Sequence, residues 1–336
     1  MSTVILPIAS VAQYNTDNLK VREAVSFTYK NLRLYPVFAN QAFLDEHKDI
    51  SKYTPLQKAV AENKISVTET GSAANANVVN DHVGHHNTRT NTMVNQSSGG
   101  SGTVNTLFIE NTSNDTIMIM AGEVVKGGKQ DRVLAQDMVL LPHSGRRDIS
   151  VFCVEHGRWQ YSEESQKANN TFYGYSKVST TSVRKAAVVE KDQQKVWKNV
   201  ADITAKNSAS SNSGTYTALD TSRKYNEELK AYIDFFNARI RSEGNVIGVV
   251  ACTGDKVIGC DLFATPDMFR QYFDNLMSSY STEAISNGST ATAGYQTVQT
   301  YLDKILLDES KQETEVEKNG TILKSRGKKL HLATFD

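Results

Sequence analysis

The chain has 336 residues, and its 37 Lys and Arg are matched by 37 Asp and Glu, so its formal charge at neutral pH is zero. That balance excludes a polybasic nucleic-acid clamp, and no stretch approaches the roughly 18 consecutive apolar residues that a membrane helix requires. A hydrophobic content of 39% is enough for a substantial core at this length, while five prolines and 20 glycines exclude collagenous or proline-rich low-complexity architecture. The opening MSTVILPIASVAQ has no Lys or Arg before its apolar run and no evident small-residue cleavage site, which argues against export. Three cysteines, Cys153, Cys252 and Cys260, form a sparse, odd set that suits a reducing compartment, so the cytoplasm is the expected location.

Between about Ala24 and Leu44, aromatic and branched residues suggest strands, followed by a helix around Pro55 to Glu62 and a strand over Ile65 to Glu69. The run from about residue 74 to 102 is rich in Asn, Ser, Thr and Gly, and reads as a long exposed loop. From Val104 short β-rich runs alternate with turn residues through ISVFCVEHGRW, predicting an antiparallel sandwich or barrel. After Trp159 the composition becomes polar, then helical intervals emerge. Val196, Val200 and Ile203 share one face, as do Tyr225, Leu229, Tyr232, Ile233 and Phe236; SASSNSGTY between them reads as a loop or linker. VIGVVACTGDKVIGCDLF predicts a hairpin turning at Gly254 and Asp255, with Cys252 opposite Val257 and Cys260 opposite Val249, an arrangement that does not bridge the two thiols. Thr265 as N-cap and Pro266 at the first position open a further helix that turns Phe269, Tyr272, Phe273 and Leu276 inward. VQTYLDKILLDES reads as helix, and GTILKS with KKLHLATF as a closing β-pair around Arg326 and Gly327. The expected class is α+β: a β-rich region over residues 1–160, and a mixed helix and hairpin region over 161–336 packed on it.

Two segments concentrate chemistry. In GEVVKGGKQDR, residues 122–132, Gly127 and Gly128 let main-chain N–H groups approach an anion, Lys129 and Arg132 can neutralise it, and Gln130 can orient it. The spacing is neither a Walker loop nor a dinucleotide fingerprint, and a plain β-turn with solvated charges accounts for the same residues. In ISVFCVEHGRW, residues 149–159, a strand with two apolar faces ends in polar groups, of which Arg158 can pair with an anion and Trp159 can stack on a planar ring or pack in the core. Cys153 is better read as a buried thiol than as a nucleophile, since His156 points away from it along a strand. Glu110, Asn111, Glu123, Asp131 and Glu155 end neighbouring β-segments and could converge at one sheet end. Of these, Glu123, Asp131 and Glu155 are the candidates for acid–base work or for holding a divalent ion. His82, His85 and His86 lie in the polar run without a Cys partner or a supporting helix, and are better read as solvated than as a metal site. His331 on the last strand is best explained as a satisfied structural histidine, and Arg146 and Arg147 beside His143 as a solvated basic turn.

GEVVKGGKQDR and ISVFCVEHGRW, with VNTLFIENTSNDTIMI between strands upstream and VIGVVACTGDKVIGCDLFATPDMF and LHLATF downstream, resemble the ARG and rhodanese-phosphatase-superfamily-associated protein family of bacteria and their viruses. The resemblance runs from about residue 25 to the end, with the 74–102 run as an apparent insertion. It implies ADP-ribose or NAD metabolism through association with ADP-ribosylglycohydrolase-type and rhodanese-phosphatase-type proteins, and transfers no catalytic residue. The resulting expectation is a protein that binds a phosphorylated, nucleotide-like ligand through Gly127, Gly128, Lys129, Gln130, Arg132, Arg158 and Trp159. The residues leave any cofactor undetermined, and neither nucleic acid nor a membrane is expected as a partner. The competing expectation is a non-enzymatic homo-oligomeric assembly module whose glycine turns are architecture.

Overall fold

Side-chain alternation along short strands decides the architecture. In Glu123–Gly127 and Arg132–Leu134, Val125 and Leu134 join one apolar cluster while Val124 and Val133 join another, so this sheet is covered on both faces. The computed structural model describes residues 14–23, 25–50, 52–70 and 104–336; the first 13 residues and the run holding His82, His85 and His86 lie outside them.

Among the described residues, three sheets make up the β-structure of this α+β chain. Six strands pair in the order Phe172–Val178, Glu123–Gly127, Arg132–Leu134, Gly145–Cys153, Thr106–Asn111 and Ile65–Glu69. The sheet curls until its two outer strands meet through an antiparallel bridge between Thr68 and Thr171. Val67, Leu107, Ile109, Val125, Leu134, Ile149 and Val151 fill the inside, and Leu56 and Ala59 of the helix Leu56–Ala61 join them. A seven-stranded antiparallel sheet is built mainly of Leu19–Val21, Leu32–Ala39, Val246–Thr253, Lys256–Phe263, Lys328–Phe335 and Gly320–Ser325, with Thr28–Tyr29 folded back on Leu32–Ala39. Sheet membership therefore crosses residue 160 in both directions. A third sheet of Met138–Leu140, Ile117–Ile119 and Thr54–Pro55 lies between the other two: Ile117 and Ile119 face the curled sheet's interior, Met118 and Met120 the larger core.

Most helix lies after residue 160. Gln193–Lys206 buries Val196, Val200 and Ile203, and Arg223–Ile240 buries Tyr225, Leu229, Tyr232 and Phe236, with Ile233 only partly covered. Pro266–Asn287 begins as its sequence implies, the Thr265 hydroxyl accepting the Met268 N–H at 3.1 Å. The expected single helix near residue 300 is two, Tyr295–Ile305 and Glu309–Glu317. In the hairpin Cys252 faces Val257 as expected, but Cys260 faces Val250 and not Val249, because a bulge between Ala251 and Cys252 shifts the register by one. No helix among the described residues is long and apolar enough to cross a membrane.

A fully buried ionic network ties these layers together. Arg184, ending the helix Thr181–Arg184, donates Nη1 and Nη2 to Asp261 Oδ2 and Oδ1 at 3.0 and 2.9 Å. His331 Nε2 lies 2.9 Å from Asp261 Oδ1, and the Tyr280 hydroxyl donates to Oδ2 of the same carboxylate. His331 Nδ1 is 3.5 Å from Asp137 Oδ1, which accepts the Ala121 N–H at 2.8 Å. Arg184 lies 4.4 Å from the Phe335 ring centre, and His331 stacks on Phe263 at 4.5 Å. Beside them Glu123 is fully buried, one oxygen accepting the Met120 N–H at 2.8 Å.

These groups give stability a defined pH dependence. Burial pushes Glu123 from 4.5 to about 8. Burial alone would depress His331, but Asp137 and Asp261 lift it from 6.5 to about 9. Each holds a proton that the unfolded chain releases at lower pH, so the stability it confers is full below the unfolded value and is lost as pH rises to the folded one. Asp137 and Asp261 act in the opposite sense. Burial opposes their ionisation, but His331 beside the first, and Arg184 and His331 beside the second, hold both below 3.8, and their contribution is lost as pH falls below that value.

Unfolding free energy, followed through the melting temperature, should therefore decline as pH is raised from about 5 to about 9, by an amount on the order of a few kcal/mol. Glu123→Gln, which keeps the shape without the charge, should flatten the part of the decline below about pH 8; superimposable melting profiles for the two proteins would refute this account of Glu123. Asp261→Asn leaves Arg184 and His331 without their shared counter-charge and is expected to cost ~3–5 kcal/mol, read from the denaturant midpoint. A loss below roughly 1 kcal/mol, the range of exposed pairs, would contradict it.

Candidate functional site

Strand direction alternates around the curled sheet, so Ile65–Glu69, Glu123–Gly127 and Gly145–Cys153 end at the rim where Thr106–Asn111, Arg132–Leu134 and Phe172–Val178 begin. The turn through Gly128, Lys129 and Gln130 and the segment following Cys153 both leave from this rim, and Arg132 pairs in register with Cys153. The two chemistry-bearing segments of the sequence are thus neighbours.

Their charges are largely spent on one another. Arg158 makes a forked pair with Glu155, Nε to Oε1 at 2.9 Å and Nη2 to Oε2 at 2.7 Å, while Nη1 donates to the Gly128 carbonyl at 2.8 Å and the Gln160 carbonyl at 3.0 Å. Glu155 Oε2 also accepts the Asp131 N–H at 3.0 Å, and the Glu155 carbonyl accepts Gln130 Nε2 at 2.7 Å. Asp131 Oδ1 accepts the Gly127 N–H at 3.0 Å and lies 3.3 Å from Arg158 Nη2; Oδ2 accepts the hydroxyls of Thr215 and Thr217, each at 2.8 Å. Arg132 is fully buried, its Nη1 donating to the Gln130 carbonyl at 3.0 Å and its Nη2 3.6 Å from Glu69 Oε1. Glu69 Oε1 accepts the Lys129 N–H at 2.9 Å. At Gly128, φ is +54° and a Cβ would stand 2.6 Å from the Phe172 ring, so only glycine lets the turn close over the rim.

Burial, then repulsion from Glu155, raises the Asp131 carboxyl against the bonds it accepts from Gly127, Thr215 and Thr217. Burial disfavours the Arg158 cation, but Glu155 and Asp131 outweigh it and raise its pKa. Burial also raises the Cys153 thiol despite nearby Arg132. A raised thiol is a poor nucleophile, and His156 packs edge-on against Trp197 at 4.6 Å.

What faces outward is smaller. Lys129 has no carboxylate partner among the described residues, and its ammonium lies 5.5 Å from the Trp159 ring centre and 5.9 Å from that of Tyr161. Trp159 is 53% exposed and Tyr173, whose phenol is raised by burial and by Asp131, is 43% exposed. Beside them runs a cleft of about 480 Å³ between residues 157–160 and 212–213. Another hollow, of about 900 Å³, lies elsewhere, around the hairpin tip and Tyr295–Ile305, where Lys256 and Lys304 line it together with Asp255 and Asp336.

Gly127, Gly128, Lys129, Gln130, Asp131, Arg132, Glu155, Arg158 and Trp159 therefore share one rim. Glu123 stands at the other end of its strand, about 14 Å away by strand rise. Glu110 and Asn111 are at that far rim too: Glu110 lies 3.8 Å from Arg146, and Asn111 donates to the carbonyls of Asp115 and Leu141. The five polar residues expected at one sheet end are thus divided between two. Arg146 and Arg147 are strand residues of Gly145–Cys153, not turn residues. Sequence reasoning missed Glu69, Tyr161, Tyr173, Thr215 and Thr217. Tyr161, two residues beyond Trp159, offered a local signal, whereas Glu69 is 60 positions from Lys129, and Thr215 and Thr217 are 84 and 86 from Asp131. Among the described residues no three or more His, Cys, Asp or Glu side chains are grouped to hold a metal ion.

No curated protein and no solved structure matches the chain. A sequence model for the ARG and Rhodanese-Phosphatase-superfamily-associated Protein domain, ARPP-1, matches residues 19–334, a span that includes both large sheets and every residue of the rim. The chain belongs to that family.

Proposed function

We propose that the rim binds a phosphorylated, nucleotide-like metabolite of the kind met in ADP-ribose or NAD metabolism. The observation that carries this reading is the pairing of an uncommitted Lys129 ammonium with the exposed Trp159 indole, where the neighbouring guanidinium groups of Arg132 and Arg158 are engaged internally. An ammonium free of a carboxylate can meet a phosphate oxygen, and an indole offers a face to a planar ring. Gly127, Gly128, Gln130, Arg132 and Arg158 serve the ligand indirectly, by holding the Lys129 turn in place. The family's association with ARG-type and rhodanese-phosphatase-type proteins supports an ADP-ribose setting by company. If the ligand is turned over, Asp131 is the nearer candidate for proton transfer, because it stands at this rim and burial and Glu155 raise its pKa from the ordinary aspartate value.

The test is thermal denaturation with ADP-ribose, NAD and AMP. A ligand that binds only the folded state should raise stability by about 2.7 kcal/mol at a hundredfold excess over Kd, and no shift with any of the three would refute the proposal. Lys129→Ala should weaken binding about tenfold or more while leaving the unliganded melting temperature unchanged. Arg158→Met, which strands Glu155 and frees the Gly128 carbonyl, should instead lower that melting temperature, by ~2–4 kcal/mol in stability. The opposite pattern would move anion recognition from Lys129 to Arg158.

A further inference from the structure

The cleft beside Trp159 has two walls from distant parts of the chain. One is Gly157 to Gln160, leaving the rim; the other is Asn212 and Ser213, in the loop between Gln193–Lys206 and Arg223–Ile240. Backbone fixes their separation. The Gly157 N–H donates to the Ser213 carbonyl at 2.7 Å, and the Tyr216 N–H to the Val154 carbonyl at 2.8 Å. A Cβ on residue 157 would stand 3.1 Å from the Ser213 Cα, so any larger residue there would press the two walls apart by a few tenths of an ångström. The Thr215 and Thr217 hydroxyls on Asp131 anchor the same loop.

Three groups in this cleft have no structural employment that the fold requires. The Trp159 indole is more than half exposed. The side-chain amides of Gln160 and Asn212 are exposed, line opposite walls, and have no hydrogen-bond partner among the described residues. Each amide presents one acceptor and two donors in a plane, the complement of a heterocycle edge that carries a donor beside an acceptor. A volume of about 480 Å³ falls within the range of small-molecule sites, roughly 300–1,000 Å³.

The geometry points to a nucleobase subsite here: the ring stacks on Trp159, its edge is read by Gln160 and Asn212, and the phosphate lies toward Lys129. This inference rests on the anion-binding reading above and adds to it the part of the ligand that is recognised and the residues that select it. A ribose or other sugar is the competing occupant, because indole faces and amides also suit hydroxyl-bearing rings. The ligand class is then a nucleoside phosphate and not a sugar phosphate.

Calorimetric titration of the full chain with AMP and with ribose 5-phosphate separates these outcomes. AMP should bind at least about tenfold more tightly. Gln160→Ala and Asn212→Ala, which break no bond within the fold, should each lower AMP affinity several-fold and leave ribose 5-phosphate unchanged, whereas Lys129→Ala should weaken both ligands. Equal affinity for the two compounds, or full AMP affinity in both amide variants, would overturn the base subsite while leaving the anion reading in place. If neither compound binds the wild-type chain, both readings fall together.

Discussion

Asp261 is the residue around which the layers are arranged. Its carboxylate, with no access to water, takes both forked N–H groups of Arg184, the His331 ring and the Tyr280 hydroxyl. A charge in such a place is tolerable only when its partners are all present, since desolvation costs several kcal/mol per ion and is recovered only by good geometry. Those partners come from a helix, the last strand and the long helix Pro266–Asn287, so the requirement fixes three elements relative to the strand Lys256–Phe263. Through His331 it reaches Asp137, and through Asp137 the Ala121 N–H, two residues before the strand Glu123–Gly127. The far end of that strand is the rim.

The same electrostatic rule, applied at the rim, separates groups that build the site from groups that can use it. Arg132, Arg158, Asp131 and Glu155 have the appearance of a binding constellation when read along the chain. In space Arg158 pairs with Glu155 and Asp131, Arg132 lies against Glu69, and the product is a fixed turn with its carbonyl groups held by Arg158. A buried cation matched by a buried carboxylate exerts little field on solvent. Lys129 is different because the turn projects it from this neutral base against aromatic rings, which attract a cation without cancelling its charge. The glycine pair and the buried arginine thus set the position of the residue between them.

Local chemistry was legible in the sequence where a short pattern decided the outcome. The Thr265 and Pro266 helix start, the one-face spacing of Val196, Val200 and Ile203, and the closing pair around Arg326 and Gly327 all depend on neighbours within a few residues. The proximity of GGKQDR to EHGRW was also an expectation, because both end strands of one β-rich run. The strand Phe172–Val178 was hidden because its exposed Tyr173 and buried Lys177 break apolar alternation; Lys177 is stabilised by Asp220 at 2.8 Å and by the Tyr225 ring, both from later elements. Arg184 carries no local signal of its role, since its burial depends on Asp261, 77 positions away. The one-residue slip at Cys260 has a similar cause: a bulge answers to pairing on both sides of the strand, which no hairpin rule contains.

The loop read as a linker, SASSNSGTY, shows how the two ends of this structure are joined. Its final Tyr216, with Leu219 beyond it, is buried in a cluster that includes Val183 and Ala186 on either side of Arg184, and Phe335 beneath the guanidinium. The position of Arg184 therefore constrains the cluster, the cluster constrains Tyr216, and Tyr216 holds the loop whose Thr215 and Thr217 reach Asp131 and whose Asn212 and Ser213 wall the cleft. A second route to the same rim runs through Asp137 and the strand Glu123–Gly127. Two independent paths from one buried carboxylate thus position the opposite walls of one cleft, so the rim acquires its geometry only when both halves of the chain are folded.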